Sequence, residues 1–167
     1  MQLPEVEELV HSLAQQIKPL LTPDNVLVGI RTGGVWVAER LRELLGAEIP
    51  LGTLDISFYR DDFSRIGLHP EVKPSIIPFE VEDRHIILVD DVLNTGRTIR
   101  AAMNELFDFG RPAAIVLAVL VDRGGRELPI AAQIVGAHLN LGANQNIQLN
   151  RDTSGRLSFS LHETRGL

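Results

Sequence analysis

Two aspartates and a short loop rich in hydroxyl groups follow an apolar run near the middle of the chain. Asp90 and Asp91 come directly after Ile-Ile-Leu-Val at residues 86–89, and Asn-Thr-Gly-Arg-Thr occupies residues 94–98. An unbroken apolar run is typical of a strand that is buried on both faces. Beyond the loop, apolar residues recur at helical spacing until Gly110 (Ile99, Met103, Leu106 and Phe107). The order predicts a strand, an acidic pair, a loop and a helix.

This arrangement suits a sugar phosphate. The free N–H groups and the positive dipole end at a helix start favour a phosphate. Gly96 lets the backbone approach the ligand closely, and the hydroxyls of Thr95 and Thr98 can donate hydrogen bonds. The carboxylates would instead accept hydrogen bonds from ribose hydroxyls or ligate a magnesium ion that accompanies the phosphates. Together these groups describe a site for ribose 5-phosphate.

An acidic pair after a parallel strand is not specific by itself. It also occurs in phospho-acceptor receiver domains and in magnesium-dependent hydrolases, so the pair alone leaves the class open. The loop is not a Walker A motif, because the Gly-x-x-x-x-Gly-Lys-Ser/Thr spacing is missing.

A second strand is followed by a glycine-rich turn at a predicted helix start. The strand covers residues 26–30, the turn is Arg-Thr-Gly-Gly at residues 31–34, and the helix covers residues 35–45. By the same physical argument this turn is a second candidate anion site. Two such sites could bind the two phosphorylated ends of a single ligand.

A third segment is polar and contains three prolines. It spans about residues 60–80 and carries Arg60 and Arg65, whose guanidinium groups match phosphate in geometry. A mobile loop that closes over the ligand and a solvated hairpin are equally compatible with this composition.

Composition limits the chemistry of this chain. It has 167 residues, 44% of them apolar, no cysteine and a net charge of −6. Disulfides and thiolate nucleophiles are therefore excluded. The acidic balance does not favour nucleic-acid binding. No apolar run approaches bilayer length, and we expect a cytoplasmic protein.

The remaining patterns predict an α/β domain with a doubly wound sheet and ligands at the carboxyl ends of its strands. Apolar residues at helical spacing predict a first helix over about residues 5–21. Further strands are predicted at residues 51–59, 113–121, 134–139, 147–149 and 156–163. In the segment after residue 121, Asp122 could cap a turn, and Arg126 and Glu127 could be solvated charges.

The string Val-Asp-Asp-Val-Leu-x-Thr-Gly-Arg-Thr at residues 89–98 resembles the phosphoribosyl pyrophosphate (PRPP) signature of type I phosphoribosyltransferases. Residues 52–62 and 120–130 resemble the PyrR family, pyrimidine operon regulators with uracil phosphoribosyltransferase activity. The resemblance covers about residues 50–140. It implies one phosphoribosyltransferase domain over residues 1–167, with a mostly parallel sheet, helices on both faces, and a small hood from residues 1–20 and 123–150.

The resemblance also implies roles for individual residues. Uracil and PRPP would react to give UMP and diphosphate, with Mg²⁺ as the cofactor. A non-proline cis peptide is expected near Arg31–Thr32. The implied catalytic residues are Asp90, Asp91, Arg31 and Arg60, with Asp90 and Asp91 supporting the metal; the implied PRPP-binding residues are Thr32, Gly33, Gly34, Val92, Leu93, Asn94, Thr95, Gly96, Arg97 and Thr98; the implied base-binding residues are Arg123 and Ile147.

The regulatory half of the resemblance is weaker. Members of the family that bind mRNA use basic residues of the first helix and of the segment after Leu-Pro-Ile. In this chain the first helix offers only His11 and Lys18, and residues 131–149 contain no lysine or arginine. We therefore expect reduced or absent binding of leader RNA. The alternative is a UMP-responsive RNA-binding regulator with minor catalysis. A phosphoribosyltransferase for orotate or a purine is a third alternative. The family also implies a homodimer or a dimer of dimers.

Overall fold

The computed structural model describes residues 1–56 and 75–164. Arg60 and most of the loop predicted at residues 60–80 lie outside the described residues. The elements are α1 (Val6–Ile17), a 3₁₀ turn (Lys18–Leu20), β1 (Asn25–Ile30), α2 (Gly33–Leu45), β2 (Leu51–Leu54), β3 (His85–Leu93), α3 (Arg97–Phe109), β4 (Ala114–Asp122), β5 (Ile134–His138), β6 (Gln145–Arg151) and β7 (Leu157–Glu163).

Five of the strands form a parallel sheet in the order β2-β1-β3-β4-β5. Alternate residues of the central strands enter two separate apolar cores. Leu27, Ile87 and Leu120 pack with α1 and α2 on one face. Val28, Leu88 and Val119 pack with α3 on the other. Because both faces are covered, the apolar runs of these strands do not alternate with polar residues. The predicted doubly wound α/β fold is confirmed.

The chain changes direction across the sheet between β1 and β3. From β1 it passes through α2 to β2 on one side, and from β3 it passes through α3 to β4 on the other. The two strands are direct neighbours, with Gly29 opposite Val89. Ligands of open α/β sheets bind outside the carboxyl ends of strands at such a switch point. The fold thus brings the two candidate anion-binding turns together.

The last two strands form a separate antiparallel sheet, in which Leu149 pairs with Phe159. Leu149 and Leu157 are buried in the same core as α1. This β6–β7 hairpin contains the strands predicted at residues 147–149 and 156–163. The predicted hood boundaries stay a prediction.

Two element boundaries differ from the sequence prediction. β3 continues past Val89 to Leu93, because Val92 and Leu93 pair with Val121 and Asp122 of β4. The acidic pair therefore lies within the strand rather than after it. Helix α2 begins at Gly33 and not at residue 35. Within the described part of the chain, none of the helices has the length and apolar character needed to span a membrane.

Candidate active site

A cavity of about 860 Å³ opens at the carboxyl edge of the sheet, between the sheet and the β6–β7 hairpin. It is bordered by the turns after β1 and β3, by the start of the β4–β5 loop (residues 123–133) and by the hairpin. Twelve of the predicted site residues line it: Arg31, Thr32, Gly33, Asp90, Asp91, Val92, Leu93, Asn94, Gly96, Thr98, Arg123 and Ile147. The structure thus brings together residues that lie more than 100 positions apart.

Three other predicted site residues do not border the cavity. Gly34 is buried behind it, against the backbone of β3. Arg97 is directed toward Glu127, with Nε 3.8 Å from a carboxylate oxygen. The Thr95 hydroxyl accepts a hydrogen bond from the Arg97 N–H at 3.2 Å. If these three residues bind the ligand, their backbone groups rather than their side chains would do so.

The β1–α2 turn is fitted closely against β3. A Cβ placed on Gly34 would lie 2.5 Å from the Val89 carbonyl oxygen and 3.1 Å from Asp90 Cα. A Cβ on Gly33 would overlap the Asp91 carboxylate. The expected cis peptide is present between Arg31 and Thr32. The absence of two side chains therefore lets this turn lie directly beside the acidic pair.

The two aspartates differ in exposure. Asp90 is 1% exposed, whereas Asp91 is half-buried at the cavity wall. One oxygen of Asp90 accepts the Asp91 N–H at 2.9 Å, and Oδ1 of Asp91 accepts the Val92 N–H at 2.8 Å. These bonds fix the orientation of the two carboxylates.

The two helices at the site begin differently from α1. Glu7 and Glu8 lie in the first turn of α1, where their charges complement the helix dipole. The first turns of α2 and α3 contain no acidic residue. Their N–H groups therefore suit an external anion. Gly96 precedes α3 with φ +94°, a conformation that favours glycine.

The β4–β5 loop is hydrogen-bonded to the turn after β3. The Glu127 N–H donates to the Thr95 carbonyl at 2.9 Å, and the Arg123 N–H donates to the Leu93 carbonyl at 3.0 Å. The half-buried Arg126 donates to the Asn94 carbonyl at 2.9 Å. The alternative of a solvated Arg126 is therefore wrong.

Asp122 anchors the start of this loop. It accepts the Gly124 N–H at 2.9 Å, as expected of a turn-capping aspartate, and pairs with Arg126 through its second oxygen. Burial alone would raise the pKa of Asp122, but the hydrogen bonds from Arg126 and Gly124 outweigh it and leave the pKa below 3.8. The carboxylate is therefore ionised at neutral pH.

The opposite wall is formed by the β6–β7 hairpin. Arg123 Nη1 donates to Asn146 Oδ1 at 3.2 Å, which joins the β4–β5 loop to β6. The Arg151 guanidinium lies 4.7 Å from the centre of the Trp36 ring and connects the hairpin to α2. These contacts place Arg123 and Ile147 on the hairpin side of the cavity.

Seven residues that border the cavity were missed by the sequence predictions. Ile99 and Trp36 lie in the first turns of α3 and α2, so their position one turn after each loop could have indicated them. The others depend on how distant segments pack, which no local pattern reports. The seven residues are Trp36, Asp55, Ile99, Asn146, Gln148, Leu149 and His162.

Comparison with known families agrees with this geometry. The family model described as "Phosphoribosyl transferase domain" matches residues 2–148 of the chain. The chain therefore belongs to the phosphoribosyltransferase family.

Within that family the chain groups with the PyrR proteins. It is 55% identical over 154 residues to "Bifunctional protein PyrR" of Pseudomonas fluorescens, covering 90% of this chain and 92% of the relative. It is 63% identical over 125 residues to the protein of the same name from Nitrosococcus oceani, covering 74% and 71%. The resemblance inferred from residues 52–62, 89–98 and 120–130 is confirmed.

Solved structures share the fold. A purine phosphoribosyltransferase from Pyrococcus horikoshii superposes with a TM-score of 0.62 at 26% identity, covering 80% of this chain and 81% of that one. A hypoxanthine-guanine phosphoribosyltransferase from Bacillus anthracis gives a TM-score of 0.66 at 20% identity, covering 84% of each. The second comparison supports the fold alone.

Proposed function

We propose that this protein transfers ribose 5-phosphate from PRPP to uracil and releases UMP and diphosphate. One observation carries the proposal. The starts of α2 and α3, whose first turns contain no acidic residue, lie at the switch point of the sheet and border the same cavity as the carboxylates of Asp90 and Asp91. A ligand with phosphate groups at both ends of a sugar matches that distribution of charge.

The proposed role of each segment follows from the hydrogen-bond donors and acceptors that it supplies. Backbone N–H groups of residues 94–98 would bind the 5-phosphate, and the turn at residues 31–34 would bind the pyrophosphate. Asp90 and Asp91 would accept hydrogen bonds from the ribose hydroxyls. The prediction for Arg60 remains a proposal from the sequence, since Arg60 lies outside the described residues.

The donor set fits a magnesium ion that is shared with the substrate. Asp90 and Asp91 supply carboxylate oxygens at the cavity, while the described ranges 1–56 and 75–164 contain no group of three or more metal-binding side chains. Mg²⁺ is commonly held by one or two carboxylates together with substrate phosphates. When bound, it would neutralise the negative charge of the diphosphate leaving group.

The protein has to stabilise charge separation rather than form a covalent intermediate. As the diphosphate departs, C1 of the ribose becomes oxocarbenium-like and the leaving group gains negative charge. Amide N–H groups of the β1–α2 turn, together with Arg31, would stabilise the leaving group. The Asp90 and Asp91 carboxylates would lie near the positive sugar, and the cavity would align N1 of uracil with C1.

Uracil is the base that we favour because of the PyrR relationship. Arg123 and Ile147 border the cavity on the hairpin side, where a planar base could lie beyond the ribose. We propose that they contact uracil. Orotate and hypoxanthine are the matched competitors, because the fold is also found in purine phosphoribosyltransferases.

The experiment is a base-competition assay with PRPP and Mg²⁺, in which uracil, orotate and hypoxanthine compete and the product nucleotides are separated. We expect UMP as the main product. Asp91→Asn should lower kcat/KM by about 10²- to 10³-fold, because it removes a negative charge that would stabilise the positively charged ribose in the transition state. Asp108→Asn, at an exposed position late in α3, is the matched control and should keep full activity. Preferential use of orotate or hypoxanthine would reject uracil as the substrate.

Regulation through RNA is a second candidate, because the relatives carry the name "bifunctional". We propose that this function is weak here, since α1 and the 3₁₀ turn after it offer only His11 and Lys18, and residues 131–149 contain no lysine or arginine. Filter binding to pyrimidine leader RNA with and without UMP tests the proposal. Nanomolar binding that depends on UMP would contradict it.

A further inference from the structure

Arg123 and Asn146 meet on the hairpin side of the cavity, and both border it. Nη1 of Arg123 donates to Oδ1 of Asn146 at 3.2 Å, and Nη2 donates to the Gly142 carbonyl at 3.5 Å. A guanidinium group carries N–H donors and no acceptor. The atom of Asn146 that faces Arg123 must therefore be its amide oxygen, and the orientation of this amide is fixed by chemistry.

The amide nitrogen of Asn146 is left for another partner. Because the oxygen faces Arg123, the NH₂ group is turned away from the guanidinium. Across residues 1–56 and 75–164, this NH₂ group has no acceptor within hydrogen-bond distance. Asn146 lies directly opposite His162 in the β6–β7 ladder, so their side chains share a face of the hairpin, and both residues border the cavity. The two N–H donors of Asn146 are thus available to a ligand.

The other amide side chains on this face of β6 differ from Asn146. Gln148 borders the cavity, but its side chain makes no hydrogen bond within the described residues, so it can turn either its oxygen or its nitrogen to a ligand. Asn150 uses its NH₂ group to donate to Ser160 Oγ at 2.8 Å. Among these three amides, Asn146 therefore combines a fixed orientation with unpaired donors. Such a group can distinguish an acceptor from a donor on a ligand.

We propose that Asn146 is a specificity-determining residue, whose NH₂ group donates a hydrogen bond to an exocyclic oxygen of the base. This role rests on the proposed function and adds a group that selects the base. Uracil carries two exocyclic oxygens, whereas cytosine has an amino group in place of one of them. A fixed donor that meets this amino group would leave two donors facing each other without an acceptor. Arg123 holds the amide in the orientation that uracil requires.

The first experiment separates the donor of Asn146 from its contact with Arg123. Asn146→Asp keeps an acceptor for Arg123 but has no N–H group to offer the base at neutral pH. We expect the KM for uracil to rise about three- to tenfold, as for the loss of one hydrogen bond, while the KM for PRPP stays within about twofold. Asn144→Asp is the matched control, because it adds the same charge at an exposed position that does not border the cavity. It should change neither constant.

The second experiment changes the ligand. In 2-thiouracil and 4-thiouracil, sulfur replaces one exocyclic oxygen and is the weaker acceptor. For one of these analogues the loss in kcat/KM relative to uracil should be about three- to tenfold larger in the unchanged protein than in Asn146→Asp. The intrinsic reactivity of the analogue cancels in this comparison, and the affected analogue identifies the oxygen. Cytosine, measured as an inhibitor, should bind the unchanged protein more weakly than uracil, and Asn146→Asp should narrow that difference.

The outcomes that would overturn this role are an unchanged KM for uracil in Asn146→Asp, or equal losses with both thio analogues in the two proteins. A parallel rise in the KM for PRPP would indicate a displaced hairpin and overturn it as well. Thermal unfolding confirms that each variant is folded. If Asn146→Asp does not fold, Asn146→Ala, which removes the donor without adding charge, decides by the same measurements. Failure of the unchanged protein to form UMP would reject the proposed function itself, and the role of Asn146 with it.

Discussion

The β1–α2 and β3–α3 turns both border the cavity, but different interactions hold them in place. The β1–α2 turn is held by close packing, in which Gly34 lies against the Val89 carbonyl and Gly29 against Val35. The β3–α3 turn is held by hydrogen bonds from another loop, principally those of Arg126 and Glu127. The first turn should therefore be sensitive to added volume, and the second to loss of donors or of backbone freedom.

Gly34→Ala is expected to have the largest effect. The new Cβ would lie 2.5 Å from the Val89 carbonyl oxygen, and backbone cannot move aside without separating α2 from β3. We expect a loss of about 1–3 kcal/mol or more in the free energy of unfolding, measured with urea, together with a loss of activity. Gly142→Ala is the control, because its Cβ would meet its nearest neighbour at 3.5 Å. Equal stability of both variants would refute the packing explanation.

Gly33→Ala should separate activity from stability. Its Cβ would overlap the end of the Asp91 side chain, which can rotate away, whereas at Gly34 the obstacle is backbone. The unfolding free energy should change little, but displacement of the Asp91 carboxylate should lower kcat/KM by about 10²-fold. Urea titration and the uracil assay on the same preparation test this. A variant with normal activity would show that the Asp91 position is not critical.

Gly96→Ala tests the second turn. Gly96 has φ +94°, and a Cβ there would lie 3.0 Å from Ile130 Cβ. The backbone strain should cost about 1–2 kcal/mol, with a further cost from the contact with Ile130. Gly155→Ala is a close control, because Gly155 has φ +89° and open space around it. The difference between the two unfolding free energies measures the contact; identical values would mean that Ile130 adjusts without cost.

Asp122→Asn should have the smallest effect, and that effect should depend on pH. Because the folded state lowers the pKa of Asp122 below 3.8, its stabilisation is fully present above about pH 4 and is lost as the pH falls through the folded pKa. We expect Asp122→Asn to be less stable by about 1 kcal/mol at neutral pH, since a charge-assisted hydrogen bond is replaced by a neutral one. Urea unfolding from pH 8 to pH 3 should show a constant difference that narrows only in acid. A difference that already narrows between pH 8 and pH 6 would contradict the assignment of this stabilisation to the Asp122 carboxylate.

The sequence predicted the parts of the site that depend on local order. The PRPP-like string at residues 89–98 and the glycine-rich turn at residues 31–34 were located correctly, because strand, turn and helix follow one another directly. The doubly wound, mostly parallel sheet was predicted from the family resemblance and from the alternation of strands with turns and helices, but its strand order was not. The end of β3 was misjudged, because Asp90 and Asp91 are polar but continue the ladder with β4.

The rest of the cavity wall could not be predicted from local patterns. His162 and Asn146 face each other because β6 and β7 pair in one particular register. A shift of one residue would exchange the faces of the strand, and the register depends on which face is buried in the folded protein. Arg126 was ambiguous for a similar reason: a guanidinium near a turn is usually solvated, and its three acceptors come from segments up to 32 positions away.

The β6–β7 hairpin lies late in the chain, and this determines the order in which the parts of the cavity are synthesised. During translation the β1–α2 turn, the β3–α3 turn and the β4–β5 loop leave the ribosome first, whereas Asn146, Ile147 and His162 follow only later. A nascent chain that has reached residue 140 thus contains every proposed contact to the sugar phosphate but lacks one wall of the cavity. The hairpin wall, which carries the proposed contact of Ile147 to the base, is the last part of the site to be made.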